Sequence, residues 1–141
     1  MKFATTKLLI LILAAMLAMP ALAQRLPTTQ PGSHAAQLVG QPGDPTKDIY
    51  EVRFIAVDGI NIPGGGRDAL WLEPGKYEIT VLGTARDPMA RRFTRGRSDE
   101  GSNKIEVVVE AGKTYFIGMK YDRSVKRSPY STVLYRISDG Q

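Results

Sequence analysis

"ALWLEPGKYEITVLG", residues 69–83, and "VVVEAGKTYFIGMKY", residues 107–121, are two versions of one phrase. In each, an apolar run ends at Glu, Gly follows two residues later, then Lys, then a second run led by Tyr77 or Tyr115. Apolar residues alternate within the runs. Leu70 and Leu72 flank Trp71, and Tyr77, Ile79 and Val81 fall on one face, as do Tyr115, Ile117, Met119 and Tyr121. A period of two is the mark of a half-buried strand. The phrase therefore predicts two β-hairpins, each turning at Glu-x-Gly-Lys, with Gly75 and Gly112 supplying a positive-φ turn position.

The same period runs outward from there. Tyr50, Val52, Phe54 and Ala56 alternate with Glu51 and Arg53, and Asp58-Gly59 is a strong turn pair. Ile105, Val107 and Val109 share a face, and so do Val133, Tyr135 and Ile137. No helical stripe of useful length follows residue 24. Short strands punctuated by Gly and Pro predict an all-β fold, an antiparallel β-sandwich of about six or seven strands, over residues 48–141.

The first 47 residues read differently. "MKFATTKLLILILAAMLAMPALAQ" has a basic start at Lys2 and Lys7, an apolar core from Leu8 to Met19 and an Ala21-Leu22-Ala23 end, the three parts of a secretory signal peptide. Its core is shorter than the roughly 20 residues that span a bilayer. Cleavage after Ala23, with residues 1–23 removed, predicts a periplasmic or secreted protein beginning at Gln24. Residues 24–47 hold four prolines, three glycines and no hydrophobic period, and are expected to be a flexible leader.

Composition limits the chemistry. The chain has 19 Lys and Arg against 14 Asp and Glu, a net charge of +5 that falls to about +3 without Lys2 and Lys7. With no cysteine there is no disulfide, thiol nucleophile, thiolate metal site or lipoprotein acylation site. The single histidine, His34, lies in the leader, away from any partner for a Ser/His/Asp triad or a histidine-based zinc site. "AGKT" at 111–114 lacks the upstream glycine of a phosphate loop and precedes a strand. "GGG" at 64–66 reads as a turn. Asp58, Asn61 and Asp68 lack the spacing of a calcium loop, and Glu106 and Glu110 alternate outward on one strand. The expectation is a non-catalytic protein with no cofactor and no metal.

Three stretches, "VDG" at 57–59, "LEPGKYEITV" at 72–81 and "VEAGKTYFI" at 109–117, together resemble small secreted bacterial β-sandwich modules of the PEGA and carboxypeptidase-regulatory (transthyretin-like) type. Uncharacterised single-domain envelope proteins of that kind are the nearest likeness. The resemblance covers about residues 49–121 and rests on turn chemistry. It implies a non-catalytic module that binds a protein or surface polymer of the bacterial envelope. The insert at 84–103 departs from the compact pattern.

That insert, "TARDPMARRFTRGRSDEGSN", carries Arg86, Arg91, Arg92, Arg95 and Arg97 within twelve residues. Arginine presents a planar, permanently charged fork that fits phosphates and carboxylates. These five residues are the candidate site of an alternative function: binding of anionic lipid or glycan, such as lipopolysaccharide phosphates. Lys120, Arg123, Lys126 and Arg127 extend the patch if both loops leave the same end of the sandwich. Nucleic acid is not an expected partner, and Trp71 offers a sugar platform only if it stays uncovered.

Overall fold

A computed structural model describes residues 25–83, 103–122, 124 and 130–140. Nine strands make up the described chain: β1 (Ala36–Val39), β2 (Ile49–Tyr50), β3 (Val52–Val57), β4 (Ile60–Asn61), β5 (Ala69–Leu72), β6 (Gly75–Gly83), β7 (Lys104–Val109), β8 (Lys113–Tyr121) and β9 (Tyr130–Asp139). The only helical piece among these residues is a 3-10 turn at Pro45–Lys47, and none is long and apolar enough to cross a membrane. The strands form two sheets packed into an all-β, sandwich-like fold. One, here the front sheet, runs β5-β1-β8-β9, with β2 continuing along the edge of β8 that β1 begins; the back sheet runs β4-β3-β6-β7.

The core lies between the sheets and follows the period of two. Leu38, Leu70, Leu72, Tyr115, Ile117 and Met119 face inward from the front, against Val52, Phe54, Ile79, Val81, Val107 and Val109 from the back. A β-bulge between Phe54 and Ala56 advances the phase of β3, so Ala56 and Val57 are buried in succession. A second irregularity, where β8 steps from Phe116 to Ile117, does the same to β9. It sends Tyr135 off the face predicted for Val133, Tyr135 and Ile137, and Leu134 packs against the core instead.

Neither copy of the repeated phrase is a hairpin. β5 pairs with β1 in the front sheet, whereas β6 pairs with β3 and β7 in the back sheet. Likewise β7 belongs to the back and β8 to the front. Each Glu-x-Gly-Lys is thus a corner at which the chain changes sheet. The tyrosine after each corner closes it: Tyr77 Oη donates to the Glu73 carbonyl (2.8 Å), and Tyr115 Oη accepts from the Glu110 N–H (2.8 Å). Only Gly112 has positive φ (78°); Gly75 is extended backbone and begins β6. The strand predicted from Tyr50 to Ala56 also changes sheet, at Glu51, with β2 in front and β3 behind.

The stretch read as a flexible leader contains β1, whose Ala36 and Leu38 are wholly buried. β1 lies between β5 and β8, antiparallel to the first and parallel to the second. The folded domain therefore begins well before residue 48. The reason is physical: four residues are too few to show a period, and the prolines on either side suggest coil. The order comes instead from ladder partners at 69–72 and 114–116 that local sequence does not reveal. Upstream, Thr28 bridges Leu72 and the Thr29 N–H donates to the Trp71 carbonyl (2.8 Å), lining the outer edge of β5. The signal-peptide reading of 1–23 lies outside the described residues.

Candidate functional site

The front sheet turns a second, half-buried face away from the core. Register fixes its rows. Trp71 of β5 lies opposite Gln37 of β1, which lies opposite Thr114 of β8, which lies opposite Ser138 of β9. The next row is Ala69, Val39, Phe116 and Arg136. Strands of a sheet are roughly 4.8 Å apart, so Trp71 and Phe116 are separated by about two such spacings and one row.

Side chains tie this face together. The Arg136 guanidinium lies over the Phe116 ring, 3.7 Å from its centroid, a cation–π contact. Tyr135 meets Phe116 at a tilted ring angle of 56° with centroids 6.2 Å apart, and its hydroxyl accepts from the Gly43 N–H (3.2 Å). Tyr135 reaches that loop across Gly118, where a Cβ would collide with Ile49 Cγ2 and lie 3.0 Å from the Tyr50 carbonyl. Thr114, the only buried polar side chain of the described residues, has its hydroxyl 3.5 Å from Gln37 Oε1 and 3.4 Å from the Gly140 carbonyl. The result is a flat surface on rigid strands that offers aromatic area beside an amide, a hydroxyl and a guanidinium. Such a surface suits contact with an extended partner.

The arginines proposed from sequence, Arg86, Arg91, Arg92, Arg95 and Arg97, lie outside the described residues, as do Arg123, Lys126 and Arg127. The roots of their loops are described. Gly83, at the end of β6, pairs with Val52, and Met119, near the end of β8, pairs with Tyr50. The Tyr121 N–H also donates to the Asp48 carbonyl (2.9 Å). The short run from Asp48 to Val52 thus joins the two strand ends, and β6 and β8 finish at the same end of the sandwich. Lys120 is exposed there.

The remaining candidates have structural partners. Asp58 Oδ1 accepts from the Glu78 N–H (2.8 Å), and Asp68 faces Arg53 Nε at 3.5 Å. Glu106 pairs with Lys76 at 3.5 Å and Glu110 with Lys113 at 2.8 Å. The Lys113 hydrogen bond and charge hold the Glu110 carboxyl below its ordinary value. Among the described residues no three His, Asp or Glu gather as metal ligands, and His34 is exposed. Sequence reasoning singled out Trp71 but missed Gln37, Phe116 and Arg136. The available signal was β8 itself, "TYFIGM", which carries an aromatic on its outward phase as well as its inward one. No family model, curated protein or solved structure matches the chain.

Proposed function

We propose that this protein is an exported, non-catalytic accessory of the bacterial cell envelope, and that it binds a protein or surface polymer through the outward face of its front sheet. The observation that carries this reading is the row arrangement of Trp71 with Gln37 and of Phe116 with Arg136, with every member held by strand register. Aromatic rings and arginine concentrate contact energy in binding surfaces. Secretion and envelope location rest on the signal-peptide pattern, and the binding role agrees with the resemblance to PEGA and transthyretin-like modules.

The test is capture from an envelope extract with protein starting at Gln24, beside a Trp71→Ser/Phe116→Ser variant and an Arg91, Arg92, Arg95, Arg97→Ser variant. The expected result is one partner captured by the native protein and the arginine variant and lost with the face variant. Loss with the arginine variant alone would sink this reading.

A second reading has its own support. The strand ends that precede the two basic segments, Gly83 of β6 and Tyr121 of β8, lie at one end of the sandwich, and the sequence runs on from them into Arg86, Arg91, Arg92, Arg95 and Arg97 and into Arg123, Lys126 and Arg127. Basic residues in that number suit the phosphates or carboxylates of an anionic lipid or glycan. Its signature is binding that weakens steeply as salt is added.

A further inference from the structure

The edges of the two sheets are not treated alike. On one side of the sandwich the chain covers its own edges. Thr28 and Thr29 line β5, and β3 is flanked by β4 and by paired hydrogen bonds between Phe54 and Arg67 (2.8 and 3.0 Å). On the other side, β9 is interrupted by the irregularity opposite Phe116 and Ile117. Among the described residues β7 is neither covered nor interrupted. Its six residues pair with β6 in unbroken register and contain no Pro and no Gly.

Two hydrogen bonds set the phase of that ladder. The Val81 N–H donates to the Asn103 carbonyl (2.8 Å), and the Asp58 N–H donates to the Glu78 carbonyl (2.8 Å) on the other side of β6. Opposed pairs in an antiparallel ladder alternate between bonded and non-bonded. Ile105, Val107 and Val109 therefore direct their backbone groups to β6. Lys104, Glu106 and Val108 present theirs at the outer edge. An edge of this kind is a template for another strand.

We propose that the occupant is a second copy of this chain, joined through antiparallel pairing of β7 with β7 about a two-fold axis. Charge selects the register. With Ile105 opposite Ile105, Lys104 of each copy faces Glu106 of the other, giving two opposite-charge pairs. A shift of two residues one way places Lys104 against Lys104, and a shift the other way places Glu106 against Glu106; like charges directly opposed destabilise a sheet. The two large apolar residues exposed among those described lie on this side, Val108 of β7 at 67% and Ile137 of β9 at 54%. Ile137 is the register partner of inward-facing Tyr115. Among the described residues the back sheet reaches no further than β7, which leaves Ile137 uncovered. A strand added beyond β7 brings its own inward Ile and Val residues to that gap and joins the two back sheets into one. This inference is independent of the binding reading above.

The experiment is sedimentation equilibrium on the chain from Gln24 onward, with Lys104→Glu and Glu106→Lys measured singly and as an equimolar mixture. Native protein is expected to dimerise. Each variant alone opposes like charges twice and should dimerise about tenfold more weakly, whereas the mixture forms a heterodimer with both pairs attractive and recovers the affinity. Glu106→Pro, which removes an outward N–H and the exposed ion pair with Lys76 but no ladder bond to β6, should be folded by its melting transition and monomeric. Native protein that remains monomeric at high micromolar concentration overturns the proposal. So does a dimer indifferent to the single changes, or a mixture no tighter than its components.

Discussion

Gly75 and Gly112 hold equivalent places in two similar phrases, yet the backbone asks different things of them. Gly112 sits at φ 78° with open space around a would-be Cβ, the nearest atom being the Ser33 carbonyl oxygen at 3.8 Å. Alanine there meets no clash but must adopt a left-handed conformation, which costs an L-residue about 1–2 kcal/mol. At Gly75 the backbone is extended and the nearest atom is Tyr77 Oη at 3.4 Å. Alanine there is compatible with the strand and restricts the unfolded chain, a gain of about 0.5 kcal/mol. Thermal or urea unfolding should therefore show Gly112→Ala clearly destabilised and Gly75→Ala unchanged or slightly stabilised; equal losses at both would refute the distinction between the corners. The spacing of Gly after Glu was legible in the sequence. The sign of φ was not, because it depends on how the chain leaves the corner.

At the scale of the element, alternation states which residues face inward but not which strand lies alongside. That is why the inward faces of β6, β7 and β8 were readable from sequence and the two corners were mistaken for hairpins. A Tyr hydroxyl bonded to the backbone of the preceding Glu closes each corner, whichever sheet comes next. β1 shows the opposite limit. Its order derives from partners thirty or more and more than seventy residues away, and its proline-rich surroundings disguise it as coil. The leader reading and the strand reading make opposed predictions. If Leu38 belongs to the core, Leu38→Ala removes a wholly buried side chain and should cost about 3 kcal/mol. Deleting residues 24–47 should abolish the cooperative melting transition, since β5 and β8 lose the strand between them. A truncated chain that melts like the native one would return these residues to the status of a leader.

For the whole molecule, the informative feature is that β6 and β8 end together, just before the two basic segments of the sequence, while the outward front face carries aromatic rows. Sequence revealed the charge of each segment, but the common end of the strands before them depended on topology. It follows from β2 pairing with the end of β8 just before β3 pairs with the end of β6. If that end grips a polyanion, the loops act on one ligand. Each cation contributes about 0.5 kcal/mol at low salt. Changing Arg91, Arg92, Arg95 and Arg97 to Ser then removes about 2 kcal/mol, roughly a thirtyfold loss of affinity for lipopolysaccharide. Lys126→Ser/Arg127→Ser removes about half that free energy, and the combined variant, which keeps Arg86, Lys120 and Arg123, binds with a much shallower salt dependence. The melting midpoint should stay put throughout, because the core that holds the two sheets together contains none of these side chains. Titration against lipopolysaccharide at two salt concentrations decides the matter: salt-sensitive binding that falls in this order assigns the ligand to the basic end. Binding indifferent to both loop variants but lost with Trp71→Ser/Phe116→Ser assigns it to the front face.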